Sequence, residues 1–290
     1  MFVRYASIRT LMRDLYAYIT DRSVTEDHLV SELTSALDAS VKEAVSEGRV
    51  AVAFSGGLDS GIVAALSKRY GEVTLYTAGV KDAYDVRASE EMAGILGLPW
   101  KYIEISEENL EKEIPLMIRI TGTVNPVILS FEVPLFFVMR HADEKIILGG
   151  QGADELFAGY SKYIGLSEET LAATVKDDMA QLMTVTLAHE RAVASHFGKN
   201  IFYPYLDGRV VDFVNRIGIC GVSEKDIRKP LLRGVARLIG QPELAGKPKK
   251  AAQYGSGTMA AMRSMAKKKR MTVKEMITLM STSQMGDGHA

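Results

Sequence analysis

Val50-Ala51-Val52-Ala53-Phe54-Ser55-Gly56-Gly57-Leu58-Asp59-Ser60 is the stretch on which the fold turns. Val50 to Phe54 is a short apolar run rich in β-formers, the pattern of a strand covered on both faces. Ser55, Gly56 and Gly57 carry little bulk, so a ligand can lie against their backbone N–H groups. Helical spacing follows from Ser60 to Lys68, with Ile62, Val63, Ala65 and Leu66 available to face a sheet. A loop that enters a helix N-terminus is an anion site, because unpaired N–H groups and the helix dipole both point outward. An ordinary Gly-Gly turn would account for the glycines alone, but not for Ser-Gly-Gly-Leu-Asp-Ser between a strand and a helix. The loop is not of the Walker type, which needs Gly-Lys-Ser/Thr after four spacers; no lysine follows here.

Around this stretch the chain reads as alternating strands and helices. Residues 2–19 have helical spacing through Ile8, Leu11, Leu15 and Ile19. Thr25 heads an incomplete capping box for a second helix, which Gly48 ends. After the loop helix, Val73 to Ala78 reads as a second buried strand, 85–96 as a helix closed by Gly97, and Trp100 to Ile105 as a third strand. This βαβαβ order predicts an α/β fold with a doubly wound parallel sheet. Helices are expected at 107–121 and 131–141, around a loop at Gly122 to Pro126. From Ser167 onward strand signals nearly vanish, and helices are expected at 167–197, 207–216, 224–239, 257–270 and 272–280. The expected organisation is an N-terminal helical extension over 1–22, an α/β core over about 48–165, a helical part over about 166–280, and a loose polar tail over 281–290.

A second motif follows the short apolar strand Lys145 to Leu148: Gly149-Gly150-Gln151-Gly152-Ala153-Asp154-Glu155-Leu156-Phe157-Ala158-Gly159-Tyr160. This is again a strand, a glycine-rich turn and acidic residues at a helix start. Taken alone, Asp154 could simply cap a helix. Two such turns at the ends of two parallel strands would share one crevice, where open sheets bind ligands.

Composition narrows the function classes. The 290 residues are 47% hydrophobic and 24% charged, as in an ordinary globular protein. A formal net charge of −1 gives no general pull toward nucleic acid or acidic membranes. The one cysteine, Cys220, excludes an internal disulfide and any Cys-x-x-Cys site, and it reads as a small buried residue. No run of eighteen apolar residues and no apolar signal core is present, so a cytoplasmic protein without a membrane span is expected. The histidines show no metal-ligand spacing; His189-Glu190 with His196 is not a zinc helix, because the second His would have to stand where Val193 does. The Lys267-Lys268-Lys269-Arg270 run reads as a solvated helix end.

The first loop resembles the pyrophosphate loop of the ATP pyrophosphatase superfamily. The second motif resembles the Ser-Gly-Glu-Gly-Ser/Ala-Asp-Glu-x-Phe-Gly-Gly-Tyr segment of asparagine synthetases. Pro204-Tyr205-Leu206-Asp207 is similar to that family's Pro-Phe-Leu-Asp, Lys229 to Arg233 to its Lys-x-x-Leu-Arg, and Lys247-Pro248-Lys249-Lys250 to its Arg-x-Lys segment before a glycine turn. The matches run in family order across roughly residues 25–265, so the resemblance implies a synthetase domain over 23–280 with an adenine nucleotide alpha hydrolase-like sheet.

What the resemblance implies about the site is specific. Ser55, Gly56, Gly57, Asp59 and Ser60 would hold pyrophosphate, with Mg²⁺ on Asp59 and Asp154. Backbone at Phe54, Ala78 and the Gly149–Gly150 turn would hold the adenosine of ATP. Lys249 would stabilise the departing pyrophosphate, with Lys247 and Lys250 close by in sequence. The implied activity is an ATP-dependent, AMP-forming ligase that adenylates aspartate or a related carboxylate and passes the acyl group to ammonia or an amine.

Three departures bear on this reading. Family members begin with a glutaminase domain whose nucleophile is an N-terminal Cys; here Met1 precedes Phe2. The expectation is free ammonia, another amine, or ammonia from a separate glutaminase subunit. Gln151 stands where the family has Glu; it can form hydrogen bonds but cannot take a proton. The related β-lactam synthetases also lack that Glu and close a ring. The family's Arg before Pro-Phe-Leu-Asp is replaced by Phe202. Gln151 also motivates an alternative, a non-catalytic nucleotide-binding subunit or regulator. A third reading, RNA modification by adenylation, wants thiol cysteines or a basic module. Neither is visible, so nucleic acid is not an expected partner.

Overall fold

The computed structural model describes residues 25–46, 48–218, 228–247 and 255–282. The expected helix at 2–19, the 1–22 extension, Cys220, Lys249 and Lys250 lie outside them.

Helix α1 (Glu26–Ala44) is capped by Thr25, whose side chain accepts from the His28 N–H at 3.3 Å. Strand β1 (Arg49–Ala53) leads through the first loop into α2 (Leu58–Ser67). Strand β2 (Glu72–Gly79), helix α3 (Tyr84–Leu96) and strand β3 (Trp100–Glu104) complete the βαβαβ unit. Gly97 closes α3 in the left-handed region, at φ 60°, where glycine pays no steric penalty. Helices α4 (Glu107–Thr121) and α5 (Pro126–His141) then carry the chain back across the sheet to β4 (Ile146–Leu148).

The sheet order is β3-β2-β1-β4-β5, and every pairing is parallel. The order reverses between β1 and β4, so the two glycine-rich turns leave adjacent strands at the switch point, where a crevice opens outside the carboxyl ends. Side-chain alternation explains why β1 reads as an unbroken apolar run. Val50 and Val52 pack with Leu33, Leu37, Ile62 and Leu75, while Ala51 packs on the other face with Phe136, Phe137 and Ile147. Both faces are covered by helices, so the strand is apolar from Val50 to Ala53, with Arg49 at its exposed start.

The helical second half packs on this frame. One turn of helix, α6 (Ala153–Leu156), follows the second glycine turn. Helices α7 (Glu168–Gln181) and α8 (Leu187–His196) flank a π-helical turn over Leu182–Thr186, which together make the helical span expected at 167–197. Helix α9 (Gly208–Ile217) is capped by Asp207, and α10 (Pro230–Leu238) starts behind Lys229. Then come α11 (Pro242–Gly246), α12 (Thr258–Lys268) and α13 (Val273–Thr282).

Three expectations are corrected. Helix α5 starts at Pro126 rather than 131, because Asn125 accepts from the N–H groups of Val127 and Ile128 and Pro126 sits in the first turn, where its missing N–H costs nothing. A fifth strand, β5 (Asn200–Phe202), pairs with β4. It has only three residues on a sheet edge, too few to show a pattern. Helix α13 continues through 281 and 282, where the tail was expected to begin. Among the described residues no single helix is long and apolar enough to cross a membrane.

Candidate active site

The first loop is anchored by its main chain. The Phe54 N–H donates to the Tyr76 carbonyl at 2.8 Å, and the Phe54 carbonyl accepts from Thr77 Oγ1 at 2.7 Å and Ser89 Oγ at 3.3 Å. Gly56 then passes under α3 at φ 70°; a Cβ there would stand 2.5 Å from the Ala88 carbonyl carbon and oxygen. Glycine is therefore required twice over, by conformation and by space. The Ser55 N–H donates to Ser60 Oγ at 3.2 Å, and the two hydroxyls lie 3.2 Å apart. Gly57 is the N-cap of α2 and supplies no side-chain cap; the N-terminus of a helix is where N–H groups and the dipole favour an anion.

The second loop lies against the first. A Cβ on Gly150 would meet Asp59 Cβ and the Ser60 nitrogen, each at 3.5 Å. The Gly149 N–H donates to the Phe202 carbonyl at 2.9 Å, which holds the turn to the end of β5. Helix α6 then presents Asp154, while its neighbour Glu155 turns inward and accepts from Tyr160 Oη at 2.7 Å. Burial pushes the Glu155 carboxyl up.

A third segment completes the cluster. Lys229 donates from Nζ to both carboxylate oxygens of Asp59 at 2.7 Å, and Nζ lies 2.7 Å from Asp154 Oδ1. Its side chain is 3% exposed, and those of the two aspartates 15% and 16%. Lys229 sits at φ 56°, a left-handed position that a lysine adopts only at a cost. The motif glycine Gly159 makes room for it: a Cβ there would lie 2.0 Å from Lys229 Cε and 2.1 Å from Asp154 Oδ1. Two carboxylates thus already share one cation. This is the donor set a magnesium ion uses when substrate phosphates supply its remaining ligands.

The other family-like segments brace this cluster. Tyr205, fully buried, donates from Oη to the Asp59 carbonyl at 3.0 Å. Leu206 packs where any side chain on Gly152 would have to go. Arg233 donates to the carbonyls of Arg228, Ala245 and Lys247, and so ties the Lys229 segment to the strip that leads into the lysine cluster. Lys247 itself pairs with Glu91 on α3 at 3.0 Å.

Behind the second loop lies a buried acidic group. Gln151 Nε2 donates to Glu190 Oε1 at 2.6 Å, and Tyr203 Oη donates to Glu190 Oε2 at 2.7 Å. Burial pushes the Glu190 carboxyl up to about 7 and that of Glu132 up to about 8. His189 Nδ1 is 3.0 Å from Glu132 Oε1, and burial lowers the imidazole. Burial thus opposes charge on both members of this pair.

Of the residues singled out in the sequence, Ser55, Asp59, Ser60, Gly150 and Asp154 meet one another or share Lys229, whereas Gly56 lies against Ala88, Gly149 against Tyr203, and the Gln151 side chain turns to Glu190. Ala78 is the penultimate residue of β2, on the same carboxyl edge one strand away. Lys249 lies outside the described residues. The sequence reading missed the role of Lys229, although it stands first in the Lys-x-x-Leu-Arg match. It missed Glu190 because nothing in one sequence links position 190 to position 151.

Residues 32–172 match the asparagine synthase family. A putative glutamine-hydrolyzing asparagine synthetase 1 of Methanocaldococcus jannaschii is 31% identical over 210 residues, covering 70% of this chain and 38% of that protein. The glutamine-hydrolyzing asparagine synthetase B of Escherichia coli is 26% identical over 246 residues, covering 76% of this chain and 44% of that protein. The chain therefore spans less than half the length of these relatives. Among solved structures, an NMN synthetase from Francisella tularensis aligns with a TM-score of 0.43 at 14% identity, covering 92% of this chain and 98% of that one. With both glycine-rich motifs inside the matched stretch, the chain belongs to the asparagine synthetase family by its synthetase portion.

Proposed function

We propose that this chain is an ATP-dependent ligase that adenylates a small carboxylate and passes the acyl group to ammonia or an amine, releasing pyrophosphate and AMP. The observation that carries the reading is the meeting of the α2 N-terminus, Asp59, Asp154 and Lys229 at the point where strand order reverses. Membership in the asparagine synthetase family supports the same reaction class.

Each group has a task suited to its chemistry. The N–H groups and hydroxyls from Ser55 to Ser60 would bind the pyrophosphate. Asp59 and Asp154 would hold Mg²⁺, which when bound neutralises phosphate charge and eases departure of the leaving group. Lys229, and Lys249 by the family resemblance, would add positive charge beside the same oxygens. The main chain of Phe54, Ala78 and Gly150 would frame the adenosine; the Phe54 carbonyl already accepts two hydroxyls, so its part is to fix the loop. Phe202, 42% exposed at the end of β5, stands where the family's arginine does. The acid is therefore one that needs no guanidinium at that place, aspartate being the first to try.

Product analysis tests this. Purified protein is incubated with MgATP, ammonium and a panel of acids headed by aspartate, with AMP, ADP, pyrophosphate and phosphate resolved. Equal amounts of AMP and pyrophosphate with one acid are expected. ADP and phosphate would mean cleavage between the β- and γ-phosphates and overturn the reading; no turnover across the panel, with and without a glutaminase, would overturn it in favour of a nucleotide-binding subunit, the alternative that Gln151 motivates.

A further inference from the structure

Gln151 removes from this crevice the carboxylate that the matching family motif carries. Its surroundings show what has replaced it. Glu190 of α8 lies behind the second loop, 4% exposed, with both oxygens engaged: Oε1 by Gln151 Nε2 at 2.6 Å and Oε2 by Tyr203 Oη at 2.7 Å. A carboxylate only accepts. A glutamine carboxamide can present either end, and the two ends have opposite hydrogen-bonding character. With Glu190 ionised, the NH2 end must turn inward to it, and the carbonyl oxygen of Gln151 is left on the outer side. That oxygen takes no hydrogen bond among the described residues, and Gln151 is half-buried where Glu190 is buried.

We propose that Glu190 is a positioning residue that locks the Gln151 carboxamide with its carbonyl oxygen toward the crevice, so that the site offers a neutral acceptor to an N–H donor. The donor class is an amine: the attacking ammonia or primary amine, or the ammonium group of an amino-acid substrate. This rests on the ligase reading above and deepens it by naming how the amine is recognised.

The inward orientation also depends on protonation. Glu190 faces Glu132 from α5, Glu155 from α6, Tyr203 beyond β5, and Gln151, with His189 and Arg191 beside it on α8. Burial and the neighbouring carboxyls oppose its charge, and its hydrogen bonds from Tyr203 and Gln151 favour it. Once protonated, Glu190 gains an O–H that can donate to the Gln151 oxygen. The carboxamide then turns over and presents NH2, which disfavours an N–H donor.

Two measurements test this. The first needs no substrate. The side-chain NH2 signal of Gln151 in ¹⁵N-labelled protein, identified by its loss in Gln151→Ala, should move with pH around neutrality and lose that dependence in Glu190→Gln. A signal indifferent to pH between 5 and 9 and to Glu190→Gln overturns the proposal, whatever the protein turns over. The second is kinetic. In Glu190→Gln the KM of one N–H-bearing ligand should rise about tenfold, the effect of losing one hydrogen bond of about 1.4 kcal/mol. A rise for ammonium identifies the nucleophile as the donor; a rise for aspartate identifies its ammonium group. ATP–pyrophosphate exchange monitors the first half-reaction in both proteins. In a Gln151→Ala background Glu190→Gln should add nothing, since a positioning residue has nothing left to position. A rise of the same size in that background, or unchanged KM values beside normal exchange, overturns the proposal. Absence of exchange in the unmodified protein refutes the ligase reading instead, and the NMR measurement still decides the orientation.

Discussion

Replacing Lys229 by methionine keeps all but the last atom of the side chain's length and removes its charge. In the folded protein the Lys229 ammonium lies 2.7 Å from oxygens of both Asp59 and Asp154 and is 3% exposed. Removing one partner of a fully buried ion cluster costs about 3–5 kcal/mol, because the remaining charges are stranded. Here the carboxylates keep 15% and 16% exposure, so water can reach them and the cost is discounted to about 2–3 kcal/mol. For a chain of this size that lowers the melting temperature by roughly 5–10 °C. The reasoning makes a second, sharper demand. Two carboxylates without their ammonium form a site for a divalent cation, so Mg²⁺ should stabilise Lys229→Met more than it stabilises the unmodified protein. At a concentration 100 times the dissociation constant the gain is about 2.7 kcal/mol. The assay is scanning calorimetry of both proteins in chelator and in millimolar Mg²⁺, alongside AMP formation, which should fall at least about 100-fold. If Lys229→Met melts within a degree of the parent in chelator and gains no more from Mg²⁺, the ammonium is not what holds the two aspartates together.

Gly159→Ala should collapse the same cluster, since its Cβ would fall 2.0 Å from Lys229 Cε and 2.1 Å from Asp154 Oδ1. A lower melting temperature together with lost AMP formation is expected, and retention of both would show that the loop can retreat. Tyr205→Phe removes only the hydrogen bond to the Asp59 carbonyl. It should cost about 1 kcal/mol and slow ATP–pyrophosphate exchange more than it alters the melting temperature. Glu132→Gln tests the acid group through pH. The Glu132 carboxyl is pushed up to about 8 from an ordinary value of 4.5. The folded state therefore holds that proton more tightly, and its stability contribution is full below about pH 4.5 and lost as pH rises through 8. Urea titrations should show Glu132→Gln close to the parent at pH 5 and more stable than it at pH 9, by an amount of order 4 kcal/mol at most. A constant difference across that range would mean that Glu132 is ionised throughout.

How much of this was legible follows from where each signal resides. The parallel sheet could be read because a strand covered on both faces is predominantly apolar, and 50–54, 73–78 and 146–148 show runs of that kind, free of charged residues. β5 could not, because three residues at an edge carry no pattern. The start of α5 lies at Pro126 rather than 131 because proline directly after an asparagine cap marks a helix start. In the site, Asp59 and Asp154 stood out because glycine-rich turns announce a backbone held close to something else. Gly56 and Gly159 show what that something is: the backbone of α3 in one case, the Lys229 side chain in the other. Lys229 had no such announcement. Its place depends on a chain path that brings residue 229 beside residue 59.

That path bears on where substrate choice is set. The family match ends at residue 172, and within it lie the groups that any ATP-cleaving member would need: the Ser55–Ser60 loop, Gly150 and Asp154. The groups that aim or brace them come from further along: Glu190 against Gln151, Tyr203 against Glu190, Tyr205 against Asp59, and Lys229 between the two aspartates. The helical half therefore braces the two glycine-rich loops as well as covering the sheet. On the ligase reading proposed above, a change of acid or amine at constant ATP chemistry would call for new contacts around Gln151 and the carboxyl end of β5, where Phe202 also stands. Exchanging the 187–206 segment for that of a relative should then move the preference among acids and amines while leaving ATP–pyrophosphate exchange with the preferred acid intact. Loss of exchange for every acid in a folded chimera would place the discriminating contacts elsewhere.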